Sequence, residues 1–569
     1  MNVPRWIGPL LIAAAGIIML AWSWQTWPDP LVDFGAQLYI PWRIVAGQSL
    51  YRDIAYFNGP LSQYLNAGLF ALFGVGLRTL VWANVAILAL VLTLIYQLAC
   101  RVSGRVAATA VCLTFVLVFA FGQGVAIGNY NWVTPYVHEL THGVALGLLG
   151  IALVDRHQRT ERPIWLLAAG LTLGLTFLTK AEPMAAATAA TLAQLTAHRP
   201  ARQKFTLLLC SAAIIPMIAT FILSIFMPFP IALRGVAGSW PWVFDTQIAA
   251  LPFYRTVSGL DHLAANLAAM CRWTLGYALV LLPAIFVALR VHRRRKAISL
   301  IVFVAVAAIV GWRFFQTDWN SMIRPLPLCL LALLIPTIRR RDPLPLSLVI
   351  FSLVLLAKIS LNAHVFHYGF VLAMPGTLVL VAVCAHHIPK WVEQRNGSAG
   401  VFRAAVAAAW LAGITATLYV DAHFFAARRW TVATGSDAFL ANSRGPEIQH
   451  ISDLIRQQTP ASGTLAVFPQ GLMLNYLTRR PDSIPQVNFM PPEVLAAGEN
   501  NILSAFAARP PDLIVLNTST IAQDQFQLDQ SYFFGRSTLA WIQQNYEPVA
   551  AEYPPPAPLG LVLLRRKMP

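Results

Sequence analysis

The sequence predicts a polytopic α-helical membrane protein with a small α/β segment at its C-terminal end. Three observations carry that reading. Of 569 residues, 57% are apolar and only 11% charged, and the mean hydropathy is +0.60. Water-soluble domains carry about 25% charged residues, so this chain cannot cover a water-facing surface of that size. Apolar runs able to cross a bilayer, which needs roughly 20 residues per helix, begin near residues 6, 79, 106, 140, 163, 183, 205, 272, 297, 324, 344, 367 and 401. Finally, the net charge of +17 is unevenly placed along the chain.

The first run, Ile7 to Trp22, follows a short basic start and no small-residue cleavage site succeeds it, so it reads as an uncleaved span. The stretch Leu61 to Gly76 is broken by Ser62, Gln63, Asn66 and Gly68. Counted as a span it would put the basic loops outside, whereas counted as an interfacial helix (60–76) within a first outer loop (25–78) it keeps them inside. On that reading the cytoplasmic segments hold 20 cations and four acids, the outer loops ten and eight, and the tail after residue 420 eleven and twelve. The resulting +16 inside, +2 outside and −1 in the tail make the charge a topology signal and remove the support for a nucleic-acid partner. About thirteen spans follow, in a cytoplasmic (inner) membrane, with the N-terminus cytoplasmic and the C-terminus outside. Trp22, Trp24, Trp27, Trp132, Trp240, Trp242, Trp312, Trp319 and Trp430 cluster at outer boundaries, where indole rings anchor.

Residues 1–420 then form the membrane part and 421–569 an outer α/β domain. In the latter a helix is expected near Pro446–Gln458 and strands at Thr464–Phe468, Leu513–Leu516 and Leu559–Leu564, with Pro554–Pro556 a rigid turn. The six cysteines lie in or beside apolar runs, which excludes a disulfide framework and a Cys-based zinc site.

Ionisable groups at membrane depth are costly and tend to be functional, so the outer span ends are where chemistry is expected. The first outer loop carries Asp33 in Val32–Tyr39, Asp53 in Gly47–Asp53, and Tyr56-Phe57-Asn58-Gly59-Pro60-Leu61. Asp53 has a plain structural reading as the partner of Arg52 or a turn cap. An Asp just after the first span, Gly35 and Tyr39 within six residues, the Gly47-x-x-x-Tyr51-x-Asp53 element, and a Pro-Leu opening a juxtamembrane helix that ends Leu72-Phe73-Gly74 resemble the GT-C glycosyltransferases. The nearest branches are the protein O-mannosyltransferases and the lipid A aminoarabinose transferases. Where family members carry Lys-Pro-Pro-Leu or similar, this chain has Asn58-Gly59-Pro60-Leu61.

The resemblance implies a polyprenyl-phosphate-linked sugar donor, an acceptor that is a lipid, glycan or protein, and Asp33 as catalytic base. It also implies a second acid in the second outer loop, matched by Glu139, which orients the acceptor or helps to hold a divalent cation in branches that use one. Chemistry alone favours such a donor, since an outward-facing transferase needs its sugar delivered on a membrane-soluble carrier. The departing phosphate then needs cations. Tyr39, Asp53, Asn58, His138 and His142 are expected to bind the substrate. Lys180, Glu182, Arg255, Arg324, Lys358, His364, His367 and Tyr368 are expected around the phosphate, although Lys180 and Glu182 also read as a local ion pair. The loop Pro230 to Ala269, with Arg234, Asp245 and His262, is long enough for a lid or an acceptor-binding element.

Two other classes stay open. His138-Glu139-Leu140-Thr141-His142 satisfies H-E-x-x-H, which on a helix puts two histidines on one face for zinc with Glu139 as base, an intramembrane metalloprotease. Against it, no acidic third ligand stands in a plausible span. A transporter or flippase of lipid-linked sugar should show broken helices at mid-membrane, whereas the polar residues concentrate on one face.

Overall fold

The computed structural model describes residues 4–125, 128–197, 202–291, 296–517, 535–550 and 560–567. The basic residues Arg199 and Arg293–Arg295 and the Pro554–Pro556 run lie outside them. Among the described residues of the membrane part the spanning elements are all helices, as expected from the need to satisfy every backbone group internally in lipid. In chain order it consists of α1 (Ile7–Trp22), α2 (Phe34–Val45), α3 (Leu61–Phe73), α4 (Leu77–Ser103), α5 (Arg105–Thr114, continued by a π-helical Phe115–Ala120), α6 (His138–Thr160), α7 (Pro163–Phe177), α8 (Ala181–Thr196) and α9 (Arg202–Ser224). Then come four short helices, α10 (Phe229–Ala237), α11 (Trp240–Val243), α12 (Thr246–Ala249) and α13 (Pro252–Ser258). The remainder are α14 (Leu263–Arg290), α15 (Lys296–Arg313), α16 (Leu326–Arg340), α17 (Pro343–Leu356), α18 (Gly369–Leu372), α19 (Met374–Ala382, continued by a π-helical Val383–His387 into α20, Ile388–Glu393) and α21 (Ala399–Ala427). Setting aside α2, α3, α10–α13 and α18, these make thirteen helical units at the predicted places.

Two beginnings differ. The unit expected near 272 starts at Leu263, because nothing in Leu263–Ala269 breaks a helix. The one expected near 367 starts at Met374, because His364–Tyr368 forms a non-helical turn in which His367 takes a positive φ of 53°. By length and apolarity alone seven helical stretches qualify as spans among the described residues. Shorter apolar helices are α1, α5 with its π-helical continuation, and α7.

The centre of the bundle is α6, flanked by α7, α8 and α17, while α9 lies on α7 and the α14–α15 pair packs on α21. Met217, Phe221, Leu279, Leu300 and Trp312 are exposed, which suits helices facing lipid rather than water. In α3 the pattern is inverted: Ser62, Gln63 and Asn66 are buried while Leu65, Leu72 and Phe73 are exposed. That is how a helix at the interface places polar groups on the protein and apolar ones towards the bilayer. The long outer loop is ordered by its own start signals. Prolines open α10, α11 and α13, and the Asp245 carboxylate caps α12 by accepting from the Gln247 and Ile248 amides.

After α21 the chain forms a hairpin, β1 (Trp430–Val432) with β2 (Phe439–Ala441), and then α22 (Gly445–Gln458). A four-stranded sheet follows, built from β3 (Leu465–Phe468), β4 (Leu513–Asn517), β5 (Tyr546–Ala550) and β6 (Leu561–Arg566) in the order β3-β4-β6-β5. β3 and β4 are parallel, with Leu465 opposite Leu513, and the other pairings are antiparallel. Between β3 and β4 lie α23 (Leu472–Thr478), α24 (Pro491–Ala497) and α25 (Glu499–Ala508), and α26 (Arg536–Asn545) precedes β5. The predicted helix and three strands are found; the β1–β2 hairpin and β5 are additions.

This segment docks on the first outer loop through backbone pairing. The Ala55 amide donates to the Pro485 carbonyl, the Leu440 amide to the Gln25 carbonyl and the Leu77 amide to the Asp437 carboxylate. Gly35 permits that approach, since a Cβ on it would stand 2.2 Å from the Met473 amide nitrogen of α23.

Candidate active site

Asp33 is the residue around which the site is built. It occupies a positive-φ conformation, φ 58° and ψ −71°, and the Phe34 amide donates across it to the Val32 carbonyl at 2.7 Å. This is a γ-turn of the rare, strained kind for a residue with a Cβ. The turn is held from outside. The Asp29 carboxylate accepts from the Leu31 and Val32 amides, both at 2.9 Å, and is paired with Arg444 from the C-terminal segment. Asn129 of the second outer loop donates to the Val32 carbonyl at 2.8 Å and accepts from the Asp29 amide at 3.0 Å.

Asp33 faces a pocket of about 170 Å³ whose wall includes Gln37, Tyr56, Asn58 and Tyr136 and, from the C-terminal segment, Gln486, Asn488 and Glu493. Burial pushes the Asp33 carboxyl up to about 7, with the Asp29 and Glu493 charges adding to the rise and Lys180 opposing it. Burial likewise holds Glu493 at about 7. One oxygen or side-chain carbonyl on each of Glu493, Asn488 and Gln486 is buried with no hydrogen-bond partner.

Glu139 is fully buried in the first turn of α6, where the helix dipole favours a carboxylate. It lies behind the pocket wall: its Oε1 accepts from the Tyr56 hydroxyl at 2.7 Å and from Gln63 at 3.0 Å, while its Oε2 has no partner. Its neighbour His138 is held at both ring nitrogens, Nδ1 on Gln37 Oε1 at 2.8 Å and Nε2 on Asn84 Nδ2 at 2.9 Å. His142 Nδ1 meets the Ser62 hydroxyl at 3.0 Å.

Two lysines approach the pocket through Tyr136, which lines it. Gly59 donates its amide to the Thr179 carbonyl at 2.8 Å and Leu61 donates to that of Leu178 at 3.0 Å, which ties Asn58-Gly59-Pro60-Leu61 to the turn carrying Lys180. Only glycine fits at 59, for a Cβ would stand 2.2 Å from the Leu178 carbonyl oxygen. Lys180 stands 3.8 Å, and Lys358 2.8 Å, from the same oxygen of Glu182. Lys180 also reaches the Tyr136 hydroxyl at 3.5 Å, and Lys358 sits 4.8 Å over the Tyr368 ring. Tyr136 is the meeting point, within electrostatic range of Lys358, Glu182, Asp33 and Glu139.

Of the residues expected at the site, Asp33, Asn58, Glu139, Lys180, Glu182, Lys358 and Tyr368 are therefore brought together. His367 joins them, its ring 4.4 Å from Tyr130 and 4.2 Å from Tyr368. Others are placed elsewhere. Tyr39 is buried with its hydroxyl accepting from the Asp482 amide at 2.8 Å, a docking contact for the C-terminal segment. Asp53 accepts twice from Arg52, at 2.9 and 2.7 Å. Arg324 donates to Asn266 at 2.7 Å and meets His364 at 3.1 Å, a separate cluster. Arg255 is exposed on α13. Sequence reasoning missed Asp29, Asn129, Gln37, Tyr136 and Glu493. The nearest signal was that Asn129 and Tyr136 stand in the same polar loop as Glu139.

No group of three or more His, Cys, Asp or Glu side chains suited to a metal ion occurs among the described residues. The two histidines of the H-E-x-x-H element are instead engaged by Gln37, Asn84 and Ser62.

No family model matches the chain, and no curated protein matches it by sequence. Solved structures do. The oligosaccharyltransferase of Archaeoglobus fulgidus, in complex with Zn and sulfate, superposes with a TM-score of 0.51 at 14% identity, covering 95% of this chain and 71% of that one. The chain has the GT-C fold. ArnT from Cupriavidus metallidurans is also similar, with TM-scores of 0.47 in the apo state and 0.45 bound to undecaprenyl phosphate, both at 14% identity. Coverage is 98% of this chain and 97% of ArnT in the first case, 99% and 98% in the second. At such identity the GT-C likeness is one of architecture, and the chemistry has to be argued from the residues.

Proposed function

We propose that the chain is an inverting glycosyltransferase that moves a monosaccharide from a polyprenyl phosphate to an acceptor hydroxyl on the outer face of the cytoplasmic membrane. The observation that supports this reading is that Asp33, with a carboxyl near 7 and within electrostatic range of Lys180, faces a pocket lined by Tyr136, which Lys180 reaches and whose hydroxyl Lys358 also influences, the two lysines sharing Glu182. The acceptor oxygen attacks the anomeric carbon as its proton passes to Asp33. The bond from that carbon to the phosphate oxygen breaks on the opposite side, the electron pair leaves with the lipid phosphate, and the two ammonium groups stabilise it. Glu139 acts through Tyr56, orienting the hydroxyl that lines the pocket.

Orientation follows from charge. α4 and α6 begin beside the site and end in Arg101 and in Arg156 and Arg159, so the cationic ends lie on the far side, as the positive-inside rule asks. Residues 1–420 form the catalytic part, and 421–569 cover it and supply Glu493. The ArnT structure bound to undecaprenyl phosphate names the class of carrier to test first.

The test is sugar transfer by purified protein from a set of polyprenyl-phosphate sugars, beside Asp33→Asn and Glu139→Gln. Asp33→Asn should lower the rate about 10²–10⁴-fold, the usual contribution of a general base. Full activity in that variant overturns the assignment.

A further inference from the structure

A second, larger cavity lies at the other end of the bundle. It has a volume of about 830 Å³ and is walled by Leu98, Leu148, Leu348 and Leu378 from α4, α6, α17 and α19. Its mouth carries Arg340, Asp342, His386, His387 and Lys390. The hydroxyls on the wall are already spent: Thr337 donates to the Leu333 and Leu334 carbonyls and Ser352 to that of Leu348. Water needs two to four polar partners to settle in a cavity, and this wall offers few. The π-helical turn Val383–His387 brings His386 and His387 to the rim, and such wide turns are frequent at functional positions. Arg340 and Lys390 have no carboxylate within ion-pair distance among the described residues.

We propose that this cavity binds an anionic glycerophospholipid of the cytoplasmic leaflet, with an acyl chain in the apolar chamber and the phosphate on Arg340 and Lys390. The volume falls in the 300–1,000 Å³ range of ligand sites. Two cations, Arg340 and Lys390, face one carboxylate, Asp342, at the mouth, and basic pockets between spans on the cytoplasmic side are suited to acidic head groups. The chamber lies on the far side of the bundle from Asp33, so the site needs no assumption about the transfer reaction.

Native mass spectrometry of the purified full chain, exchanged into phosphatidylglycerol or phosphatidylcholine with the same acyl chains, tests it. Phosphatidylglycerol should be retained about tenfold more than phosphatidylcholine, and the preference should vanish in Arg340→Gln/Lys390→Gln. The second variant, Ala382→Leu, narrows the chamber and should reduce retention of both lipids. Each comparison of head groups is made within one preparation, so a poorly folded variant shows itself by losing both lipids and its thermal transition, and the Lys390→Gln single variant then replaces the pair. Equal retention of the two lipids, a preference that survives the charge variants, or stronger retention of undecaprenyl phosphate than of phosphatidylglycerol overturns the proposal.

Discussion

Glu493, on α24 of the C-terminal segment, lines the pocket that Asp33 faces, and its negative charge raises the pKa of the Asp33 carboxyl. The site is thus made by two parts of the chain that are remote in sequence.

A pH dependence follows. Asp33 accepts a proton only when ionised, so kcat/KM should rise with pH and level off above about 7, where its carboxyl titrates. Glu493→Gln removes a charge that holds this value up, and the acid limb should move to lower pH. A pH–rate profile of both proteins decides; a limb that stays in place or moves upward contradicts the arrangement.

Stability should run the other way from activity. In the unfolded chain both carboxyls ionise near 4, whereas in the folded protein they stay protonated to about 7. Folding is therefore unpenalised below about pH 4 and loses stability as pH rises from there to about 7. Asp33→Asn should raise the thermal midpoint at pH 8 by a few degrees while abolishing most activity, as read by thermal unfolding beside the transfer assay.

Lys180 and Lys358 share one oxygen of Glu182. Each single Lys→Ala change should reduce kcat by roughly 10²-fold, in the range for losing one stabilising contact to developing charge. The double change should cost less than the product of the singles, because each partner supports the other through a shared carboxylate. A double-mutant cycle on kcat measures the coupling, and strict additivity counts against it.

Gly59→Ala places a Cβ against a backbone carbonyl that cannot swing aside. The clash should cost about 1–3 kcal/mol and part the first loop from the Lys180 turn, lowering activity more than Ala does at the exposed Gly68, where a Cβ meets nothing. Parallel thermal and activity measurements on the two variants check this.

Much of the architecture was legible because lipid enforces long contiguous apolar runs and the positive-inside bias orders them. Asp33, Lys180, Glu182 and Lys358 were legible for a related reason: they are ionisable groups at span ends on one face. What escaped was contact between distant loops. Nothing in the local pattern around Asn129 shows that its amide clamps the Val32 carbonyl, and nothing in Pro491–Ala497 shows that Glu493 reaches the pocket. Asp53 went the other way, since its neighbour Arg52 satisfies it locally and leaves it outside the pocket.

The docking of the last segment on the first loop also sets an order in time. Asp33 leaves the ribosome early and Glu493 late, and at about 5–20 residues per second roughly half a minute to a minute and a half separates them. During that interval Asp33 stands without the wall that completes its pocket. The newborn chain thus has no finished pocket until the segment carrying Glu493 has been made and docked.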